Sequence, residues 1–243
     1  MGAISFSIDE TLLGFLTREL PLKLFVETGT FKGDSLELAR RFFASCYSVE
    51  ASPELFQQAR ERFQASTGIH LHLGDSPSFL GQHQKDFAAA ATLFWLDAHW
   101  CNADKTSGAT SQSPLLEELA AIGSLHRDSA VLIDDARLYL CAPPEPHRFD
   151  DWPDFHAVVG ALLRLSPHHR LMILNDVLLF YPARLQVAAA QFAHRHGADW
   201  LHFVDYYRLK TSLEAEQAAK KQAAKRPLKY ARDAWRRHFG KPE

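Results

Sequence analysis

Asp97 follows the apolar run Thr92–Leu96, Asp134 and Asp135 follow Ala130–Ile133, and His99 stands two residues beyond Asp97. Runs of this kind read as buried strands, and neighbouring parallel strands would gather the three carboxylates at one edge. Such groups repel one another unless a cation joins them or one of them keeps its proton. A hard divalent ion such as Mg²⁺ suits an all-oxygen set better than zinc does. Asp97, Asp134 and Asp135 are therefore metal-ligand candidates, with capping of the strand ends as the competing structural reading. His99, with an ordinary pKa of about 6.5, has the titration range of a general base. It is equally suited to ligate a metal or to hydrogen-bond backbone within its loop. Asp97 and His99 are the catalytic candidates, and Trp100 beside them either stacks on a ring or packs.

A second constellation lies at the ends of three earlier runs. Glu27-x-Gly29-x-x-x-Gly33 ends the first and opens a helical segment, with Thr28 and Thr30 inside it. Its glycines would let backbone approach a ligand where a Cβ would intrude. Glu27 can accept from a cationic amino group or from a loop N–H. The spacing is neither that of a dinucleotide loop, GxGxxG, nor that of a P-loop ending in Gly-Lys-Ser/Thr. Glu50 ends the next run, where an acidic side chain can take both hydroxyls of a ribose. Gly74-Asp75-Ser76 ends the third and is placed to bound an adenine ring and accept from its amino group. An ordinary strand-to-helix turn explains any one of these signals less well once all three recur in register.

The elements that must position them alternate. Strand candidates are Leu24–Glu27, Cys46–Glu50, Ile69–Leu73, Thr92–Leu96 and Ala130–Ile133; helix candidates are Asp9–Leu20, Ser35–Phe43, Pro53–Ala65, Ser76–His83, Pro114–Ser124 and His156–Leu165. That pattern predicts a doubly wound, mostly parallel α/β sheet covered on both faces, with ligands beyond the carboxyl ends of its strands. Arg170–Leu174 and Val177–Tyr181, across Asn175-Asp176, predict an antiparallel edge hairpin. His168 and His169, just before it, read as surface residues. Asn102–Gln112, small and polar, reads as a loop beside the site, either a lid or ordinary surface.

Val26-Glu27-Thr28-Gly29-Thr30, Val49-Glu50, Gly74-Asp75-Ser76, Leu96-Asp97-Ala98-His99-Trp100 and Ile133-Asp134-Asp135 together resemble the class I S-adenosylmethionine-dependent methyltransferases. More narrowly they resemble bacterial members linked to sugar and secondary-metabolite modification, the relatives of macrocin O-methyltransferase and cephalosporin hydroxylase. The likeness runs from Leu24 to Pro182 and includes Ser113–Leu119 and Asn175-Asp176-Val177. It departs from the family's commoner GxGxG loop. The resemblance implies a seven-stranded Rossmann-like methyltransferase fold. It also implies S-adenosylmethionine bound by Glu27, Thr28, Gly29, Thr30, Gly33, Glu50, Asp75, Ser76 and Asp97, and a metal at Asp97, Asp134 and Asp135. The implied activity is O-methylation of a sugar-containing or secondary-metabolite acceptor. A metal-dependent hydroxylase or oxidoreductase on the same scaffold, and a non-catalytic cofactor-binding protein, are the alternatives.

The 243 residues are 47% hydrophobic and 23% charged, ordinary for a globular chain with a substantial core. Cys46, Cys101 and Cys141 form neither a CxxC pair nor an even set, which argues against a disulfide framework and fits a reducing cytoplasm. No apolar run approaches the roughly 20 residues needed to span a bilayer. The net charge of −2 conceals an asymmetry, because Lys220–Glu243 carries nine Lys/Arg against two Asp/Glu and the remainder is −9. The expected division is therefore a catalytic domain over 1–207 and a basic helical extension over 208–243, whose first helix is opened by the capping pair Thr211 and Glu214. Tyr230, Trp235 and Phe239 interleave with the basic residues. Such a tail can dock on the protein's own acidic body or on a partner subunit in a homo-oligomer, or lie on an anionic membrane. Nucleic acid is the weakest of the partners, since no recognised binding motif accompanies the charge.

Overall fold

In the computed structural model, residues 7–100, 111–198, 208–217 and 220–221 are described. The chain divides into two units, Met1–Gly197 and Ala198–Glu243. In the first, the strands are β1 (Leu24–Thr28), β2 (Ser45–Glu50), β3 (Ile69–Leu73), β4 (Thr92–Leu96), β5 (Ala130–Ile133), β6 (His169–Leu174) and β7 (Val177–Pro182). They form one seven-stranded sheet in the order β3-β2-β1-β4-β5-β7-β6. The first five run parallel, whereas β7 is antiparallel to both β5 and β6. The chain thus works outward from β1 in one direction and resumes beside it with β4. That makes the β1/β4 boundary the switch point, where a crevice opens beyond the strand ends.

The helices are α1 (Glu10–Glu19), α2 (Asp34–Ala39), α3 (Pro53–Phe63), α4 (Ser76–Gln82), α5 (Gln84–Ala89), α6 (Leu115–Ile122), α7 (Arg137–Leu140), α8 (Phe155–Leu165) and α9 (Gln186–His196). Local chemistry starts several of them. Asp9, Ser52, Asp75 and Asp154 each accept a backbone N–H three residues on, satisfying a donor that the first helical turn leaves open. Alternation along the strands separates two cores. Phe25, Leu93, Trp95 and Leu132 pack with α1, α2 and α9 on one face. Val26, Phe94, Leu96, Val131 and Ile133 pack with α4, α6 and α8 on the other. Burying each such side chain contributes about 1.5–3 kcal/mol, so the strand register is firmly held.

The predicted strands are all present and the edge hairpin turns at Asn175, whose φ of +57° suits a short polar side chain. α2 stops at Ala39, short of the predicted Phe43, and α5, α7 and α9 were not predicted. His169 is not a surface residue. It is 2% exposed, with Nδ1 on the Ser166 hydroxyl and Nε2 3.0 Å from the Ser129 carbonyl, tying β6 to the turn before β5. Its neighbour His168 is exposed as expected. In the second unit, residues 208–217 are helical, so the helix runs through Thr211 instead of starting there. The loop 101–110 and residues 222–243, with Tyr230, Trp235 and Phe239, lie outside the described residues. No described helix is long and apolar enough to cross a membrane.

Candidate active site

The loop after β1 is braced from beneath. Glu27 is wholly buried, and its carboxylate accepts from the Ser35 hydroxyl of α2 and, at 2.6 Å, from the Ser48 hydroxyl of β2. Thr30 donates to Ser48 at 2.6 Å, completing a chain Thr30–Ser48–Glu27. Burial pushes the Glu27 pKa up to about 7, although both serine hydroxyls pull against it. In this structure Glu27 fixes the loop from within the fold.

The two glycines have internal reasons as well. Gly29 has φ +83°, and a Cβ there would lie 2.5 Å from the Asp97 carbonyl oxygen. Gly33, at φ +77°, would drive a Cβ to 2.6 Å from the Phe63 ring. Their Cβ directions are occupied by protein, not by ligand space. What they permit is the close approach of the β1 loop to the β4 loop, reinforced where the Asp97 N–H donates to the Thr28 carbonyl at 3.1 Å.

Glu50 sits 6% exposed at the end of β2 and receives two backbone N–H groups at 2.8 Å, from Phe31 and from Ser52. It thereby holds Phe31 in the left-handed region, φ +48°, and joins the β1 and β2 loops. A carboxylate has about four acceptor positions, so the same group can serve a diol as well as backbone. Asp75 is exposed and caps α4 through the Ser78 N–H, which lowers its pKa; Ser76, next to it, is buried.

At the ends of β4 and β5 the carboxylates do gather, but protein cations separate them. His99 points Nε2 at Asp135 Oδ2, 2.9 Å away, and Nδ1 towards Asp97 Oδ1 at 3.6 Å. Arg137 donates to the other Asp135 oxygen at 2.6 Å and also pairs with Asp176. Asp134 is occupied too, accepting the Asp135 N–H at 2.9 Å and the Ser7 hydroxyl at 3.1 Å. Burial alone would disfavour the His99 cation, yet the Asp135 hydrogen bond and the charges of Asp97, Asp135 and Asp134 raise its pKa to about 9. For Asp135, burial acts upward, but His99 and Arg137 together hold it well below the usual carboxylate range. Asp134 moves up to about 6, first through burial and then through Asp135. Asp97 is raised well above the ordinary value by partial desolvation and by the Asp134 charge, with His99 pulling it back.

These commitments answer the metal expectation. Both Asp135 oxygens face cations, and no group of three His, Cys, Asp or Glu among the described residues could hold a metal ion. The repulsion that calls for compensation is real, and His99 and Arg137 supply it. The donor set Asp97, Asp134 and Asp135 does not fit a divalent ion. The Asp135 hydrogen bond and the neighbouring carboxylates favour the protonated form of His99, which suits it to electrostatic support beside the crevice. Asp97 has a raised pKa and keeps about a third of its side chain exposed.

Aromatic rings close in around His99. Its ring centroid is 5.6 Å from that of Trp152, which lies 5.4 Å from Tyr139 and 5.3 Å from His147; Trp100 also faces His147, at 5.5 Å. Gln112 fastens this group by accepting from Trp152 Nε1 and the Arg148 N–H, while its carbonyl receives the Trp100 N–H. Trp152 and Arg137 carried no local signal that singled them out, whereas Asp176 stood in the hairpin turn and Glu118 in the segment Ser113–Leu119 without either being assigned a role. Glu118 stands on the buried stripe Leu115, Glu118, Leu119, Ile122 of α6, and a charge on an apolar helical stripe is itself a flag.

No protein-family model matches the sequence, and no curated protein matches it. Solved structures similar to it include a proposed methyltransferase from Streptococcus mutans in complex with SAH, at 12% identity over 72% of this chain and 99% of that one, with a TM-score of 0.48. An rRNA methylase from Streptococcus thermophilus is similar at 13% identity, covering 74% and 99% of the two chains, with a TM-score of 0.46. A methyltransferase from Geobacter sulfurreducens is similar at 17% identity, covering 72% and 80%, with a TM-score of 0.45.

Proposed function

We propose that this protein binds S-adenosylmethionine in the crevice beyond β1 and β4 and catalyses methylation of an acceptor hydroxyl, on a sugar-containing or secondary-metabolite molecule. The observation that carries the reading is Asp97: a carboxylate of raised proton affinity at the switch point, whose backbone also receives the β1 loop. Glu50, fixed by two N–H donors at the end of β2, would hold the ribose hydroxyls. Asp75 and Ser76 at the start of α4 would bound the adenine, and Thr28, Gly29 and Thr30 would shape the loop beneath the nucleoside. When bound, the cofactor supplies an electrophilic methyl group on a sulfonium, open to in-line attack by oxygen.

The protein's part is to make that oxygen nucleophilic and to aim it. An alcohol becomes competent once its proton departs, and Asp97 is the base that accepts it. His99 remains cationic, keeping Asp97 and Asp135 from repelling each other and adding positive potential beside the developing alkoxide. Trp100, partly exposed and backed by His147 and the buried Trp152, would offer a ring face to the acceptor, a surface suited to the C–H faces of a sugar. For the basic tail from Lys220 we propose a partner subunit or an anionic membrane surface as what it meets.

The test is ligand-dependent melting. Saturation at a hundred times the dissociation constant stabilises a fold by about 2.7 kcal/mol. For a chain of this size that is a shift of roughly 5–10 °C. A shift with S-adenosylhomocysteine and none with NAD is expected; the reverse would overturn the assignment. Asp97→Asn should then keep the shift while methyl transfer to a diol-bearing acceptor collapses.

A further inference from the structure

Two buried polar side-chain atoms lack a hydrogen-bond partner among the described residues, Trp95 Nε1 and Glu118 Oε1. Trp95 belongs to the core that includes α1, whereas Glu118 is on the α6 side. An indole N–H is a weakly polar part of a large apolar ring. A carboxylate oxygen is not, and leaving one unpaired inside a protein is costly. Glu118 is only 2% exposed. Burial raises its pKa, and the hydroxyls of Ser76 and Thr28 and the charge of His99 pull it back, so its carboxyl group lies near these residues. Thr28 ends β1, Ser76 opens α4 and His99 follows β4. The Glu118 carboxyl, with its unpartnered oxygen, is therefore near residues that the proposed function assigns to cofactor and catalysis.

We infer that Glu118 is a ligand-binding residue, its open oxygen accepting a hydrogen bond from an N–H or O–H donor of the nucleoside cofactor. A buried stripe position on α6 would otherwise be filled by an apolar side chain of similar volume. The carboxylate lowers the stability of the free protein and is compensated when a donor arrives. This rests on the nucleoside reading of the crevice.

The experiment compares wild type with Glu118→Gln and Glu118→Met, measuring free-protein melting temperature and affinity for S-adenosylhomocysteine and for 5′-methylthioadenosine, which lacks the amino-acid portion. The expected result is a melting temperature equal to or a few degrees above wild type in Glu118→Met, together with a loss of affinity of about ten- to a hundredfold. Loss with both ligands places the donor on the nucleoside; loss confined to S-adenosylhomocysteine places it on the ammonium of the amino-acid portion. Glu118→Gln, which keeps one acceptor oxygen, should fall between. Unchanged affinity in both variants, with wild type binding, would overturn the inference alone. A large drop in free-protein stability in both variants would assign Glu118 a structural role and overturn it as well. Failure of wild type to bind either ligand would overturn the nucleoside reading and this inference with it.

Discussion

His99 Nε2 lies 2.9 Å from Asp135 Oδ2, bridging residues 36 apart in sequence. Both side chains are almost enclosed, 6% and 11% exposed, so little solvent screens the contact. His99 is thereby a fixed cation among carboxylates, held between the ends of β4 and β5.

The raised pKa of His99, about 9 against an ordinary 6.5, sets the sign of a pH effect. Its contribution to stability is fully present below about pH 6.5 and is lost as pH rises through 9. At about 1.4 kcal/mol per unit the span is on the order of 3 kcal/mol. Urea unfolding of wild type and His99→Gln at pH 6 and pH 10 should show the gap between them shrinking by that order at the higher pH. An equal gap at both values would mean that His99 is neutral in the fold.

Glu27 gives a second test with the same sign in a lower pH window. Its pKa is raised to about 7, so the folded protein holds a proton that the unfolded chain releases near 4.5. Stability therefore falls as pH rises from about 4.5 to 7, by on the order of 3 kcal/mol. Glu27→Gln cannot ionise and should gain on wild type by that amount between pH 4 and pH 8, read from denaturant midpoints. A pH-independent difference would show that Glu27 is ionised throughout.

Gly29→Ala meets two obstacles, the φ of +83° and the Asp97 carbonyl 2.5 Å from the new Cβ. The backbone conformation alone costs about 1–2 kcal/mol, and the contact with main chain adds to it. The β1 and β4 loops must then part. We expect a melting temperature lower by several degrees and a lost or much reduced melting shift with S-adenosylhomocysteine. Wild-type behaviour in both measurements would show that the close approach of these loops is dispensable.

Because His99 and Arg137 neutralise the carboxylates, methyl transfer should persist in EDTA and gain nothing from added Mg²⁺, Mn²⁺ or Ca²⁺. Arg137→Leu should lower activity and stability together, since Asp135 and Asp176 would each lose a cationic partner, at a cost of about 3–5 kcal/mol for a broken buried pair. Activity that vanishes in chelator and returns with one cation would place a metal at this site after all.

The sequence by itself determined the sheet. The alternation of short apolar runs with helical stripes is a local property, and each predicted strand lies within a residue or so of its observed bounds. Glu50, Asp75 and Asp97 were legible for the same reason: ligand-side residues of a doubly wound sheet stand at strand ends, and strand ends can be read from hydropathy. Tertiary structure decided what those residues touch. The partner of Asp134 is Ser7, 127 positions away, and the atoms filling the space beside Gly29 belong to Asp97. Whether three carboxylates need a metal depends on which cations fold against them, and no spacing rule brings Arg137 to Asp135 and Asp176 at once. That Glu27 is a buried brace follows from Ser35 and Ser48 closing over it. Periodicity is set along the chain, whereas charge compensation and burial are set between segments that only the packed sheet brings together.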